Sequence, residues 1–368
     1  MNVPFLDLKA QYQSIKTEVN EAIQRVIEDC AFIKGKYVNN FAEDFRGIYG
    51  VKHFIPVANG TDAIYIVLKA LGIGAGDEVI TVANSWISTS ETIRQIGAKP
   101  VFVDIEKNGF NIDSSLIESK ITGNTKAIIP VHLFGHPADV ETIQEICNKF
   151  GLFMIEDCAQ AHFAEFNKKK VGTFGIAGTF SFYPGKNLGA YGDAGGIITE
   201  DTNFAEKCEM IANHGGLKKH HHAIDGINSR MDGMQASILS VKLKYINQWT
   251  DNRRKLARRY NELLKDTEII TPSELDNYKH VYHVYCVKSQ NRNELKRYLH
   301  ENGVASAIHY PTPLPLLPVY EDLSYSVDDF PIASSNQNKI LSLPMFPEMT
   351  EHQQNKVVDV IKKFQTKD

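Results

Sequence analysis

Between residues 53 and 200, short runs of apolar and β-branched residues alternate with longer stretches of mixed polarity. The short runs are apolar at successive positions, which predicts strands that are buried on both faces. The connections are long enough for helices, so the pattern predicts an α/β fold with a mostly parallel sheet covered on each side. The seven predicted strands are His53–Ala58, Glu78–Ala83, Pro100–Ile105, Lys126–Leu133, Leu152–Asp157, Ala177–Tyr183 and Gly195–Glu200.

After residue 235 the pattern changes to apolar residues at helical spacing. Ile238, Leu243 and Ile246 belong to this series, which predicts one long charged helix over Gln235–Leu264. Pro311–Pro318 predicts a rigid extended loop, because aliphatic residues interleave with its prolines. The remaining segments predict a small α+β domain, with strands at Tyr282–Val287 and near Val304–Ile308 and helices at Asn293–Asn302 and Glu351–Phe364.

Chain length predicts two domains, and the lack of an export or membrane-span pattern leads us to expect a cytoplasmic protein. The 368 residues exceed the ~250 to 300 at which one core usually divides, so we expect a large domain over residues 1–245 and a small domain over residues 246–368. The net charge of −4 provides no basic excess for nucleic acid, and no apolar stretch reaches the ~18 residues of a membrane span. The beginning of the sequence does not have the pattern of an export signal.

Neither the cysteines nor the histidine run predicts a metal site. The cysteines are scattered and odd in number and contain no C-x-x-C pair, which is typical of reduced packing thiols. His220, His221 and His222 are adjacent, so they cannot all face one ion, and Lys218 and Lys219 would repel it. We expect a solvated loop there. The cysteines are Cys30, Cys147, Cys158, Cys208 and Cys286.

Polar residues follow several predicted strands, at the sheet edge where ligands of such folds collect. After the first strand, Asn59, Gly60, Thr61 and Asp62 precede a predicted helix over Ala63–Leu71. Backbone N–H groups at this helix start, a permissive glycine and a threonine hydroxyl would form a phosphate cradle. A tight turn with Thr61 or Asp62 as the N-cap explains the same residues equally well, so both interpretations stay open.

Trp86 follows the second predicted strand, directly after Asn84 and Ser85. A flat indole at the sheet edge could stack on a pyridine ring. A buried core tryptophan is the more common finding, so the residue alone favours a core position over stacking on a ring.

The last predicted strands carry the clearest chemistry. Lys186 follows Ala177–Tyr183, and a lysine amine can form a Schiff base with an aldehyde. Asp157 ends another strand, where a desolvated carboxylate needs a partner such as a protonated ring nitrogen. These two groups are the minimum that a protein needs to use pyridoxal phosphate. Gln160 lies close to Asp157 in the sequence, and Ser181 would add a hydroxyl to the phosphate.

These motifs resemble the DegT/DnrJ/EryC1/StrS family of sugar aminotransferases. The resemblance extends from residues 3–8 to residues 341–347 and includes the segments around Asp157 and Lys186. It implies the aspartate-aminotransferase fold of type I pyridoxal-phosphate enzymes, with a seven-stranded sheet between helices and a smaller C-terminal domain. It also implies a homodimer with shared active sites.

By position, the resemblance implies a role for each candidate residue. Lys186 would be the Schiff-base lysine and proton shuttle, Asp157 the partner of the pyridine nitrogen, and Gln160 the partner of the ring hydroxyl. Trp86 would cover the ring, and Asn228 would reach the phosphate from the second subunit. The phosphate ligands within the chain would be Gly60, Thr61 and Ser181, and the sugar contacts Tyr183, Arg230, His309 and Tyr310.

The implied reaction is a ping-pong transfer in which L-glutamate loads the cofactor and a nucleotide-linked keto sugar then receives the amino group. Lys186–Asp193 resembles the members that aminate C3 of dTDP-3-keto-6-deoxyhexoses, which favours that substrate. The alternative is a C4 aminotransferase for a UDP- or dTDP-linked 4-keto sugar. Dehydratase relatives have histidine in place of Lys186, and a noncatalytic regulator would have little use for Lys186, Asp157 and Gln160 together.

Two positions depart from the family pattern. Phe163 stands after His162, where members usually have glycine, so we expect a large ring to reshape that wall of the site. Pro315 and Leu316 stand where leucine and histidine are common, which leaves the sugar contacts near Tyr310 open.

Overall fold

The computed structural model describes residues 2–366 and contains a seven-stranded central sheet. The sheet order is β1-β9-β8-β5-β4-β2-β3, and every strand except β9 runs in the same direction. The strands are β1 His53–Val57, β2 Glu78–Val82, β3 Lys99–Val103, β4 Thr125–Ile129, β5 Phe153–Asp157, β6 Glu165–Phe166, β7 Lys169–Lys170, β8 Ala177–Ser181, β9 Gly195–Thr199, β10 Tyr278–Lys279, β11 Tyr285–Lys288 and β12 Ile340–Leu343. The predicted α/β class and the seven strands of the mostly parallel sheet are confirmed.

Helices cover both faces of this sheet. Alternate side chains of one strand point to opposite faces, as Ile197 and Ile198 of β9 do, and join different hydrophobic clusters. The helices are α1 Leu8–Glu28, α2 Lys36–Tyr49, α3 Gly60–Ala70, α4 Ser88–Gln95, α5 Ser114–Ile117, α6 Val140–Phe150, α7 Thr202–Ala212, α8 Gly233–Leu243, α9 Ile246–Leu264, α10 Arg292–Glu301, α11 Pro331–Asn336 and α12 Glu351–Gln365. Helices α3 and α7 pack on one face, and α1, α2 and α8 pack on the other.

The C-terminal part forms its own hydrophobic cluster around the short antiparallel sheet β11-β12. Helices α9, α10 and α12 surround this sheet, and the predicted helices near residues 293–302 and 351–364 are confirmed as α10 and α12. Val3 belongs to the same cluster and pairs with Val304 in a single parallel bridge. Among residues 2–366, no helix combines the length and apolar character needed to span a membrane.

The predicted single helix over Gln235–Leu264 is wrong, because the chain forms α8 and α9 with a bend between them. At the bend, the N–H groups of Lys244 and Tyr245 donate to the carbonyls three residues earlier, at Val241 and Lys242. This tighter hydrogen bonding redirects the helix without proline or glycine. The domain division predicted after residue 245 falls at this bend.

Three smaller predictions in the C-terminal part are also corrected. The segment Val304–Ile308 is not a strand, because Val304 pairs with Val3 whereas Ala307 pairs with Ser342, so no single partner continues the ladder. Strand β11 starts at Tyr285 and not at Tyr282, whose φ of 44° is incompatible with an extended strand. The proline-rich loop is not extended throughout, since 3₁₀ turns occupy Leu314–Leu316 and Pro318–Leu323.

Four of the five cysteines are buried free thiols, as expected for packing residues. Cys30 is the exception, because its side chain is exposed at the end of α1. Burial raises the pKa of the Cys147 thiol to about 12, which keeps this thiol protonated and unreactive.

Candidate active site

A cavity of about 780 Å³ lies at the carboxyl edge of the central sheet, against the C-terminal part of the chain. The strand directions explain its position, since six of the seven strands end at this edge. Ten of the predicted site residues line the cavity, whereas Asn228 and Arg230 do not. The ten are Gly60, Thr61, Trp86, Asp157, Gln160, Ser181, Tyr183, Lys186, His309 and Tyr310.

The start of α3 forms one wall of the cavity. Asn59 is the N-cap, and its Oδ1 accepts the Asp62 N–H at 2.8 Å, so the sequence-based alternative of a Thr61 or Asp62 cap is wrong. The Thr61 hydroxyl instead bonds to the Ser88 hydroxyl at 2.7 Å. A Cβ at Gly60 would lie 2.7 Å from the Ser181 Cβ, so only glycine lets the helix start approach the end of β8 this closely.

Asp157 ends β5 and is 5% exposed. Its Oδ2 accepts the Thr89 hydroxyl at 2.8 Å, and its Oδ1 accepts the Ala159 N–H at 3.1 Å. A carboxylate can accept about four hydrogen bonds, so Asp157 retains acceptor capacity at the cavity. Sequence reasoning missed Thr89, because a threonine in the first turn of a helix looks like an ordinary helix-start residue.

Gln160 has a side-chain orientation that its neighbours determine. The Phe134 N–H donates to its Oε1 at 2.7 Å, and its Nε2 donates to the Tyr310 hydroxyl at 3.0 Å. The amide nitrogen therefore carries a second hydrogen that can be donated to a ligand. The same contact holds Tyr310, and burial raises the pKa of its phenol to about 12, so Tyr310 stays protonated at neutral pH.

Lys186 follows β8 in the turn after Tyr183, and its side chain lies in the cavity wall. Burial lowers the pKa of its ammonium to about 8, although the nearby Asp157 carboxylate favours the charged form. In the part of the chain that the structure describes, no carboxylate forms an ion pair with Lys186. The amine is therefore deprotonated more readily than that of an ordinary lysine.

Aromatic and histidine side chains complete the cavity. Trp86 is 58% exposed and lies 5.8 Å from the Tyr310 ring, so it is not a core tryptophan. His309 bonds through Nδ1 to the Ser342 hydroxyl at 2.8 Å, and burial lowers its pKa to about 4. His283 was not singled out by any sequence motif, and its Nδ1 lies 3.3 Å from the Asn187 Oδ1.

Phe163 does not reshape the wall of the cavity, contrary to the expectation from the sequence. Its ring is 2% exposed and packs against Tyr49 in the hydrophobic cluster behind the sheet, with the two rings tilted and their centroids 4.9 Å apart. Its φ of 61° lies in the left-handed region, which favours glycine, the residue that the family resemblance implies at this position. Pro315 and Leu316 do not line the cavity either.

Two predicted site residues lie apart from the cavity. Asn228 is exposed and pairs with Asn213 in an isolated bridge, and Arg230 is part-buried two residues further on. Their segment leads into α8 at Gly233, whose N–H donates to the Phe32 carbonyl. Within one chain, neither residue is part of the cavity lining.

The residues at the cavity fit pyridoxal phosphate. Lys186 supplies an amine of lowered pKa, and Asp157 supplies a buried carboxylate with spare acceptor capacity. The helix start at Gly60 and the hydroxyls of Thr61 and Ser181 could hold a phosphate without a cation. The fold and this set of groups define a pyridoxal-phosphate-dependent aminotransferase.

Comparison with known proteins identifies the family. The family model described as the DegT/DnrJ/EryC1/StrS aminotransferase family matches residues 13–362, and the chain belongs to this family. A crystal structure of DesV from S. venezuelae in complex with a ketimine intermediate superimposes with a TM-score of 0.97 at 36% identity, covering 100% of this chain and 99% of that one. The chain is therefore a sugar aminotransferase of this family.

Curated relatives have diverse names. The "pleiotropic regulatory protein" of Geobacillus stearothermophilus is 47% identical, covering 99% of each chain. The dTDP-3-amino-3,6-dideoxy-α-D-galactopyranose transaminase of Aneurinibacillus thermoaerophilus is 41% identical, covering 98% of this chain and 99% of the relative. The UDP-N-acetyl-3-dehydro-α-D-glucosamine 3-aminotransferase of Acidithiobacillus ferrooxidans is 39% identical, covering 98% and 97%.

Proposed function

We propose that this protein transfers the amino group of L-glutamate to C3 of a dTDP-3-keto-6-deoxyhexose. The observation that carries the proposal is the convergence of Lys186, Asp157 and Gln160 on one cavity, whose volume of about 780 Å³ exceeds what a cofactor alone needs. The segment Lys186–Asp193 and a relative named as a dTDP-3-amino sugar transaminase support the choice of C3 and of dTDP.

Asp157 would bind the ring nitrogen of pyridoxal phosphate and keep it protonated. A cofactor bound in this way would supply a ring that takes up the charge left when a Cα proton is removed. Lys186 would hold the cofactor covalently and, once exchanged for the substrate amine, would move that proton through its Nζ. Its lowered pKa favours the neutral amine that proton removal requires.

Other residues orient the cofactor. Gln160 would donate its second Nε2 hydrogen to the ring hydroxyl, since its Oε1 is already bonded to the Phe134 N–H. Gly60, Thr61 and Ser181 would bind the phosphate with backbone N–H groups and hydroxyls. Trp86 would cover the ring, and Tyr183, His309 and Tyr310 would contact the keto sugar.

The active site is shared between two subunits of a homodimer. Asn228 and Arg230 lie outside the cavity of their own chain, which supports a role in the site of a second copy. Phe32 and Ile33 are 47% and 52% exposed beside the same segment, so an apolar surface is available for association. Asn228 then reaches the phosphate in the other subunit's site, with Arg230 beside the sugar.

Mixed dimers test this sharing. Lys186→Ala and Asn228→Ala subunits, co-expressed with different tags, should form mixed dimers with one intact site each, which restores activity that both parents lack. If Asn228→Ala alone is impaired and the purified mixed dimer has no activity, Asn228 does not serve the partner's site.

The substrate is tested with purified enzyme, glutamate and a panel of nucleotide keto sugars. The panel contains dTDP-linked 3-keto and 4-keto 6-deoxyhexoses and UDP-linked 3-keto sugars, and product structure is determined by mass spectrometry and NMR. We expect the highest kcat/KM for amination of the dTDP-linked 3-keto sugar. A higher kcat/KM for any 4-keto sugar would contradict the C3 assignment, and a higher value for a UDP-linked 3-keto sugar would contradict only the nucleotide.

A noncatalytic regulator is the second candidate, favoured by the name of the Geobacillus stearothermophilus relative. The two candidates differ in turnover. A regulator that only senses the cofactor would give no 2-oxoglutarate from glutamate with any keto sugar, whereas the proposed enzyme forms it stoichiometrically with the amino sugar.

A further inference from the structure

Lys242 is a fully buried cation near the end of α8 that does not line the active-site cavity. Its Nζ donates to the Gly189 carbonyl at 2.6 Å and lies 4.4 Å from the centroid of the Tyr191 ring. Burial lowers the pKa of the ammonium to about 8, so the group is still mostly charged at neutral pH. Among residues 2–366, Lys242 has no ion pair within 4 Å.

Both contacts are made to the loop that follows Lys186. This loop folds back on the turn that carries the amine, because the Ala190 N–H donates to the Phe182 carbonyl at 2.8 Å. Gly189 lies directly against the same turn, since a Cβ at this position would be 2.4 Å from the Pro184 carbonyl oxygen. The turn and the loop therefore form one packed unit, and a shift of the loop would shift Lys186.

Gln235 is a second contact between α8 and this loop. Its Oε1 accepts the Tyr191 N–H at 2.9 Å. Gln235 and Lys242 are seven residues apart, which places both on the same face of the helix. The helix itself packs against α1 and α2, so it provides a rigid support that holds the loop at two points.

Stability alone would not favour a lysine at position 242. A buried ammonium without an ion pair is costly, and an apolar side chain could fill the same space without that cost. The Gly189 carbonyl is buried as well, and no other donor among residues 2–366 reaches it. The ammonium thus serves a backbone group that water cannot reach, and its contribution is to the conformation of this loop.

We propose that Lys242 is a positioning residue for Lys186, which holds the following loop against α8 so that the turn with the amine stays in place. The inference rests on the proposed function, in which Lys186 is the reacting amine. A displacement of about 1 Å in a group that takes part in a reaction can lower the rate about 100-fold. A single hydrogen bond behind the cavity can therefore have a large effect on the reaction.

The test is Lys242→Met, which removes the donor and the charge at nearly the same size. The first half-reaction of the holoenzyme is followed as the absorbance change of the cofactor over a series of L-glutamate concentrations. The maximal rate constant per bound cofactor should fall about 10- to 100-fold. The glutamate concentration that gives half of this rate should change by less than about threefold, because Lys242 does not line the cavity. An unchanged rate constant would overturn the proposal.

Two further variants separate positioning from general effects on α8. Lys244→Met is the matched control, because this neighbouring lysine pairs with Glu18 on an exposed surface, so the wild-type rate constant is expected. Gln235→Leu should slow the same step as Lys242→Met. The double variant should be slowed by less than the product of the two single effects, since both residues hold one loop. Effects that multiply in full would mean that the two residues act independently and would overturn the proposal.

Hydrogen exchange measures the hold on the loop without reference to activity. In Lys242→Met, the amides of residues 183–191 should exchange faster than in the wild type, whereas those of β5 and α3 should be unchanged. A slower reaction with unchanged exchange would mean that the charge and not the position of the loop matters, which overturns the proposal. If Lys242→Met does not fold, Gln235→Leu is measured in the same way.

The wild-type holoenzyme provides a check that needs no variant. Its loop amides should be protected from exchange, and exchange at the rate of an unstructured peptide would overturn the proposal. If the wild type takes no amino group from glutamate, the proposed function fails. The exchange comparison then decides by itself whether Lys242 holds the loop.

Discussion

Glu156 and Asp157 are neighbouring carboxylates on β5 that differ in how completely the protein satisfies them. Glu156 is fully buried on one side of the strand, and Asp157 faces the cavity on the other. The Glu156 carboxylate accepts four hydrogen bonds, from the N–H groups of Gly172, Phe174 and Gly175 at 2.6, 2.7 and 2.9 Å and from the His132 Nε2 at 3.2 Å. Asp157 accepts two, from Thr89 and Ala159.

The difference separates a structural carboxylate from a binding one. Four donors exhaust the acceptor capacity of Glu156, whereas Asp157 can still accept a hydrogen bond from a ligand. His132 must donate through Nε2, because its Nδ1 accepts the Ala138 N–H at 3.0 Å. His132, Glu156 and Cys158 place potential metal-ligating atoms within 4.8 Å of one another, but hydrogen bonds already occupy the first two.

The largest effect on activity is expected from a substitution of Lys186, on the cavity side of the comparison. Lys186→Ala should abolish turnover and covalent attachment of the cofactor, because among residues 2–366 no other amine lines the cavity. The cofactor's absorbance spectrum and single-turnover kinetics check both. Wild-type transamination by this variant would mean that Lys186 is not the catalytic amine.

Asp157→Asn should lower kcat by several powers of ten while cofactor binding persists through the phosphate. A neutral amide cannot hold the proton on the ring nitrogen, although it can keep the Thr89 hydrogen bond. Cofactor retention after dialysis and steady-state rates measure the two effects separately. Unchanged turnover would mean that Asp157, like Glu156, has a structural role and takes no part in the reaction.

Glu156→Gln should act on stability. Its NH₂ group would face backbone N–H donors, so we expect a loss of about 2 to 4 kcal/mol in the free energy of unfolding of the apoenzyme. Urea denaturation at fixed protein concentration measures the loss. Glu165→Gln is the control, because its part-exposed ion pair with Lys279 should contribute less than about 1 kcal/mol. A stable but inactive Glu156→Gln would place this carboxylate in the chemistry.

Thr89→Val should have the smallest effect, a decrease in kcat of about 5- to 30-fold at nearly unchanged KM for glutamate. It removes one of the two hydrogen bonds that orient Asp157, each contributing about 1 to 2 kcal/mol. Thr92→Val is the matched control, since its hydroxyl donates to the Ser88 carbonyl at 2.9 Å in the same helix without contacting Asp157. Equal losses in the two variants would mean that helix packing causes the effect.

Much of the sheet was predictable because buried parallel strands have continuous apolar runs. The bend after α8 was not predictable, since no proline or glycine marks it. It is formed by N–H groups that donate to carbonyls three residues earlier in the chain. The sequence singled out Asp157 at the end of its strand, but no motif indicated that the backbone of residues 172–175 satisfies the neighbouring Glu156. Arg253 belongs to a helix rich in charged residues, so its sequence pattern predicts a solvated side chain. Only the packing of α9 against residues 282 and 345 brings this residue to the cavity.

The pairing of Val3 with Val304 has a consequence for synthesis on the ribosome. The two valines are separated by about 300 residues, which take roughly 15 to 60 s to translate. The C-terminal cluster into which Val3 packs also needs α12, so it cannot close before α12 has been synthesised. The segment around Val3 is thus available to chaperones and modifying enzymes until that point, whereas β1 is already sequestered once β9 has emerged.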